Sequence, residues 1–131
     1  MKYRFNETLP KDYLDLAKQT GRRITPVQAN SAMRGSLFTV GIYDDSEKLA
    51  AFGRICGDGV LCFTVTDVMV DDAYRDSHLE ENILKEISDF LREHRCRESS
   101  VMIHVSREYG SLCRKYGFRY LDEDYEVIMK G

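Results

Sequence analysis

Two strand-like runs, Val60 to Val70 and Ser99 to Val105, flank a segment whose apolar residues fall at Leu79, Ile83, Leu84, Ile87, Phe90 and Leu91. Spacings of four, one, three, three and one place them on one face of a helix of about four turns, Leu79–His94. A strand, a helix and a strand in one sheet connect by a right-handed crossover, so this stretch demands a parallel pair. Upstream, Leu37 to Tyr43 and Leu49 to Cys56 carry the β-branched and aromatic residues of strands, separated by the turn Asp44-Asp45-Ser46-Glu47-Lys48. Asp58-Gly59 is a two-residue hairpin signal leading into the Val60–Val70 strand. With that loop, Cys56 faces Leu61 and Cys62 faces Ile55, so the two thiols point to opposite faces and cannot pair.

The N-terminal third reads as helical. Tyr13, Leu14 and Ala17 share a face of a helix over Lys11–Gln19, ended by Gly21, and Thr25-Pro26 caps a second that runs to Gly35. A short helix from Tyr109 to Tyr116 ends at Gly117. Two final strands, Phe118–Leu121 and Tyr125–Met129, flank the acidic turn Asp122-Glu123-Asp124. The order β-α-α-β-β-β-α-β-α-β-β describes one mixed α/β (α+β) domain over residues 1–131. Its expected sheet has six to seven strands, an antiparallel N-terminal half, a central parallel pair and about four flanking helices.

Composition narrows the function. The 131 residues are 43% hydrophobic, enough for an ordinary core without disulfide or metal. The four cysteines form no C-x-x-C pair and no His stands at zinc-ligand spacing, so no metal is expected. A formal net charge of −3 argues against a dedicated nucleic-acid binder, which needs a basic excess to neutralise phosphates. No apolar run approaches the ~18 residues of a membrane span, and the start Met1-Lys2-Tyr3-Arg4-Phe5 has no signal-peptide core, so a cytoplasmic protein without membrane partners is expected.

Three strings carry a resemblance: Gly53-Arg54-Ile55-Cys56-Gly57-Asp58-Gly59, Thr66-Asp67-Val68-Met69-Val70-Asp71-Asp72-Ala73-Tyr74-Arg75, and His104-Val105-Ser106-Arg107-Glu108 running to Lys115-Tyr116-Gly117-Phe118. In this order they resemble the GNAT superfamily of acetyl-CoA-dependent N-acetyltransferases over nearly the whole chain. The resemblance implies transfer of an acetyl group from acetyl-CoA to a primary amine, of a small molecule or a peptide, by direct attack. It also implies that Val68, Met69 and Val70 offer backbone groups to the pantetheine arm. The loop Arg75, Asp76, Ser77, His78, Leu79 and Glu80 would wrap the pyrophosphate at a helix N-terminus. A homodimer using the edge of the Tyr125–Met129 strand is a further expectation.

The chain departs from the family pattern twice. The pattern's two loop glycines are His78 and Glu80, so side chains fill the space that close phosphate approach requires, and carboxylates surround it. Ser77-His78-Leu79-Glu80 instead fits a capping box, in which Ser77 accepts from the Glu80 amide and Glu80 reaches back. The Tyr that protonates the departing thiolate in many relatives is Cys113, with Tyr116 and Tyr109 each about one turn away. Asp67 is the candidate base for the amine, with pairing to Arg54 or exposure at a strand edge as the structural alternative. His104 reads as a core or cleft-wall histidine, and Arg22-Arg23 with Arg34 as a weak anion attractor. Both departures leave room for a second reading, a catalytically inactive binding or regulatory module with a vestigial cofactor cleft.

Overall fold

The computed structural model describes residues 1–131. Five strands form one sheet in the order β1-β2-β3-β4-β5: β1 (Lys2–Phe5), β2 (Phe38–Tyr43), β3 (Leu49–Gly57), β4 (Cys62–Val70) and β5 (Ser100–Ile103). The first four are antiparallel, and β5 runs parallel to β4, as a crossover through a helix requires. Four helices complete the molecule: α1 (Pro10–Lys18), α2 (Pro26–Gly35), α3 (Leu79–His94) and α4 (Gly110–Lys115). Thr25 caps α2 by accepting from the Gln28 amide while Gln28 accepts from the Thr25 amide, and Pro26 occupies the first turn, where it costs no hydrogen bond.

The sheet separates two apolar layers. On one face α3 sets Leu79, Ile83, Ile87 and Leu91 against Val40, Ile42, Ala51, Ile55, Phe63 and Val65. On the other, Tyr13, Leu16 and Ala17 of α1 and Ala29 of α2 pack on Tyr43, Leu49, Phe52 and Met69. Gly53 lies under α3, where a Cβ would stand 2.6 Å from Cγ2 of Ile83 and 2.9 Å from Cδ1 of Ile87, so a glycine lets helix and sheet approach. No helix is long and apolar enough to cross a membrane.

Three expectations are corrected. The sheet has five strands rather than six or seven: Phe118–Leu121 and Tyr125–Met129 have strand-like composition but no neighbour with which to pair. The β3–β4 connection is longer than two residues, because Asp58 accepts from the amides of Val60, Leu61 and Cys62 and organises a wider loop. The register is accordingly Ile55↔Val65 and Cys56↔Thr64, which puts Cys56 and Cys62 on the same face, both as free thiols. Finally, His104 lies just beyond β5 and is exposed rather than built into a core.

Candidate functional site

The centre of β4 contains an irregularity that sets the site. The β3–β4 register shifts between Phe52↔Met69 and Arg54↔Thr66, so β4 holds one extra residue. Asp67 takes up that extra residue with φ +55°, in the left-handed region where Asp and Asn are the least disfavoured side chains after glycine. The bulge resets the alternation. Val65 and Val68, three apart, both face α3, with Val70, while Met69 joins the opposite core.

Beyond the bulge the sheet opens. Pairing of β4 with β5 ends where the His104 amide donates to the Val65 carbonyl. On the other side, the Asp71 amide donates to the Ala50 carbonyl, so by alternation Met69 also turns its backbone toward β3. Val68 and Val70 therefore turn their N–H and C=O groups to the side that β5 has left. A row of backbone donors and acceptors on β4 is thus left without a strand partner beyond the end of β5.

After β4, α3 begins without a side-chain cap. His78 precedes it in the left-handed conformation, φ +59° and ψ +28°, with its imidazole in solvent. The expected Ser77–Glu80 capping box is absent: the Ser77 hydroxyl donates to the Tyr74 carbonyl, one turn back. The amides of Leu79 and Glu80 find no acceptor, which leaves the positive end of the helix dipole free. Arg75 is exposed and paired with Asp72 at 2.9 Å, Asp76 is exposed, and His78 Nδ1 lies 3.9 Å from Glu80.

The C-terminal part of the site docks on the first turn of α3. Lys115 and Tyr116 both reach Glu81, the hydroxyl at 3.5 Å, and the ion pair holds the Glu81 carboxyl below its usual range. Cys113 is buried, and burial pushes its thiol up, so Sγ keeps its proton at neutral pH. Tyr109 is raised by burial and by the charges of Glu108 and Glu80, with Arg75 acting in the opposite direction. The phenol of Tyr109 thus stands within the field of the α3 loop.

Asp67 is more heavily engaged than its place in the sequence suggests. Its carboxylate accepts from Arg54 Nε at 2.8 Å, from the Tyr13 hydroxyl at 2.8 Å and from Arg22 at 2.7 Å. Burial works to raise its pKa, but the bonds from Arg54 and Tyr13 and the two positive charges outweigh it, and the carboxyl sits below its ordinary range. Of the two structural alternatives, pairing with Arg54 is the one adopted. Both oxygens are occupied, so the group's main work is to hold cations and the bulge in place. Tyr13 and Arg22 were not legible as parts of this cluster, since they lie more than forty residues away in sequence. The spacing of Val65, Val68 and Val70, which breaks strict alternation, is the signal that could have located the bulge.

Arg22 also borders an open cavity of about 580 Å³ at the α1–α2 turn, lined by Lys18, Gly21, Arg22, Arg23, Ile24 and Thr25. No carboxylate lines it. Lys18 and Arg23 make no ion pair. Arg34, on the last turn of α2, is not part of its wall.

No protein-family model and no curated protein matches the sequence. Solved structures do match over the whole chain. A protein of unknown function from meticillin-resistant Staphylococcus aureus, named a probable acetyltransferase, superposes with a TM-score of 0.86 at 24% identity, covering 99% of this chain and 98% of its own. A GNAT family acetyltransferase from Streptococcus pneumoniae gives 0.79 at 19% identity, with 99% and 96% covered. Glucosamine-6-phosphate N-acetyltransferase from Arabidopsis thaliana gives 0.72 at 16% identity, with 100% and 98% covered. The chain therefore has the GNAT acetyltransferase fold.

Proposed function

We propose that the protein transfers an acetyl group from acetyl-CoA to a primary amine. The observation that carries this reading is the end of β4–β5 pairing at Val65, which leaves the backbone groups of Val68 and Val70 open, together with an uncapped α3. The donor set suits the group. Val68 and Val70 offer unpaired backbone groups to an amide-containing arm, the Met69 backbone being turned to β3 instead, and the free amides at the start of α3, with Arg75, offer positive potential to a pyrophosphate. The carboxylates of Asp76 and Glu80 oppose it. The cost of Asp76 is moderated because it is exposed to solvent. When bound, acetyl-CoA supplies the acetyl group as an activated thioester.

The chain's own residues supply the rest. Cys113 holds a proton on Sγ and is the proposed acid, with Tyr116 as the second candidate, its hydroxyl lying near Glu81. Asp67 fixes Arg54, Arg22 and Tyr13 beside the bulge, so the proton from the amine leaves to water within the field of the Asp67 carboxylate rather than being stored on it. The basic cavity at the α1–α2 turn is the proposed acceptor entrance. It fits an amine that also bears a carboxylate or phosphate. The Arabidopsis neighbour is named for such an amine. The inactive alternative drew on the loss of both loop glycines and of the tyrosine, with carboxylates brought to the anion site; those replacements stand, but the capping box that would close the loop is not formed.

Calorimetric titration with acetyl-CoA tests the proposal. Micromolar binding, about −8 kcal/mol, is expected. No heat at millimolar concentrations would overturn it. The double substitution His78→Gly with Glu80→Gln is expected to tighten binding about 3–10-fold, because glycine favours the conformation His78 already has and one opposing charge is removed. At the entrance, Lys18→Glu with Arg23→Glu is expected to raise KM for an anionic amine about tenfold while leaving a neutral amine of the same length unchanged. Equal effects on both amines would place the acceptor elsewhere.

A further inference from the structure

One cation of the α1–α2 cavity belongs to two places at once. Arg22 lines the cavity with Lys18 and Arg23, and its Nη1 donates to Oδ1 of Asp67 at 2.7 Å. The two oxygens of that carboxylate are held unequally. Oδ2 accepts from Arg54 Nε and from the Tyr13 hydroxyl, both at 2.8 Å, whereas Oδ1 accepts from Arg22 alone. Arg54 is largely buried and is fixed again by its bonds to Ser36 Oγ and Cys56 Sγ. Arg22 is half exposed, stands outside helix and strand, and makes no other side-chain bond. Oδ1 therefore has a single, detachable donor.

The cavity favours an anion that competes for this guanidinium. No carboxylate lines it, and Lys18 and Arg23 make no ion pair. The backbone amides of Arg22, Arg23 and Ile24 donate to nothing within the protein, so three unpaired N–H groups accompany the three cations. An anion that draws Arg22 away leaves Oδ1 charged, mostly buried and without a donor. That is costly unless another cation takes the vacated place. A ligand with an ammonium a short spacer away from its anionic group supplies one.

We propose that Arg22 and Asp67 form an exchangeable ion pair, opened by a small amine that also carries an anionic group: the anion takes the Arg22 guanidinium in the α1–α2 cavity, and the ammonium replaces it on Asp67 Oδ1. One internal pair is traded for two pairs with the ligand, so charge is balanced at both ends before and after. The pair is also a filter. A simple amine has nothing with which to draw Arg22 off and finds Oδ1 covered, whereas an anion without an amine strands the carboxylate. The exchange rests on the acceptor entrance proposed above and adds a condition to it, both charges on one molecule. It brings the amine to Asp67, the residue before Val68, whose backbone groups are open. It is a binding event and needs no acetyl-CoA.

Calorimetric titration of the full chain without acetyl-CoA tests the proposal, with phosphoethanolamine, β-alanine and propylamine as probes. The better of the two anionic amines is expected to bind about tenfold tighter than propylamine, and which of them it is identifies the anion as phosphate or carboxylate. Arg22→Ala is expected to move the probes in opposite directions: that anionic amine weakens about tenfold, while propylamine tightens about threefold because Oδ1 is uncovered. Loss of a merely structural arginine would weaken both. In Asp67→Asn the guanidinium has no carboxylate to leave, so inorganic phosphate is expected to bind about threefold tighter than to the wild-type chain. Propylamine that binds as well as both anionic amines overturns the proposal, as does a wild-type chain that binds none of the three. So do parallel changes in Arg22→Ala, or phosphate binding that fails to tighten in Asp67→Asn. Acetyl-CoA is absent from every titration, so failure of the exchange and failure to bind acetyl-CoA are separate results.

Discussion

Asp67→Asn lowers the stability of the fold by about 2–3 kcal/mol, which for a domain of this size is a fall of roughly 10 °C in Tm. Asn tolerates the left-handed backbone at this position, so the substitution keeps the bulge and removes the charge alone. What it strands is Arg54, whose side chain is 16% exposed and whose Nε donates to the Asp67 carboxylate. Arg22 is 47% exposed and can turn to water, so Arg22→Ala costs only about 0–1 kcal/mol. Thermal unfolding of the two variants separates these values, and equal losses would mean that the carboxylate is not the centre of the cluster.

The pH dependence follows from the sign of the shift. The Asp67 carboxyl is depressed in the folded state, so its stabilisation is fully present above the unfolded value of about 3.9 and is lost as pH falls through the lower folded value. Wild type therefore loses stability in acid that the Asn variant has already lost. Urea midpoints measured from neutral pH down to about pH 3 should converge.

Gly57→Ala is the second large effect, a loss of about 3 kcal/mol. Gly57 has φ +138°, which side-chain-bearing residues rarely adopt, and a Cβ there would run into the carbonyl oxygen of Cys62. Both partners are backbone, so neither can give way without shifting the ladder that leads to the bulge. Gly59→Ala is the matched control. Gly59 has φ +80°, but the nearest atom to a Cβ is a Leu37 methyl at 3.4 Å, so only the conformational cost of about 1 kcal/mol remains. A shift of the urea midpoint at constant slope in both, three times larger for Gly57, is the expected result. Equal shifts would show that backbone conformation alone decides.

The parts of this fold that were legible in the sequence are those governed by period and by local punctuation. The α3 face and the Thr25-Pro26 start of α2 each rest on residues close together in sequence, and the crossover to β5 follows from the strand–helix–strand order around α3. The wider β3–β4 loop was not legible, because the turn signal Asp58-Gly59 competes with an Asp58 carboxylate that gathers three amides. The capping box at Ser77 failed for a similar reason: its hydroxyl had a nearer acceptor in Tyr74. The C-terminal strands were called for by composition, yet composition cannot supply a neighbour. The Asp67 cluster joins α1, the α1–α2 turn, β3 and β4, and such coupling has no signature along the chain.

The extra residue in β4 means that this one strand is written in two reading frames, one from Cys62 to Thr66 and another from Val68 to Val70, with Asp67 as the point of slippage. Deleting that single residue would mend the ladder with β3, set Gly53 opposite Val68, and leave Val68 and Val70 facing α3 and Met69 facing the layer beneath α1. What the slippage adds is a carboxylate outside both frames, placed among Arg54, Arg22 and Tyr13.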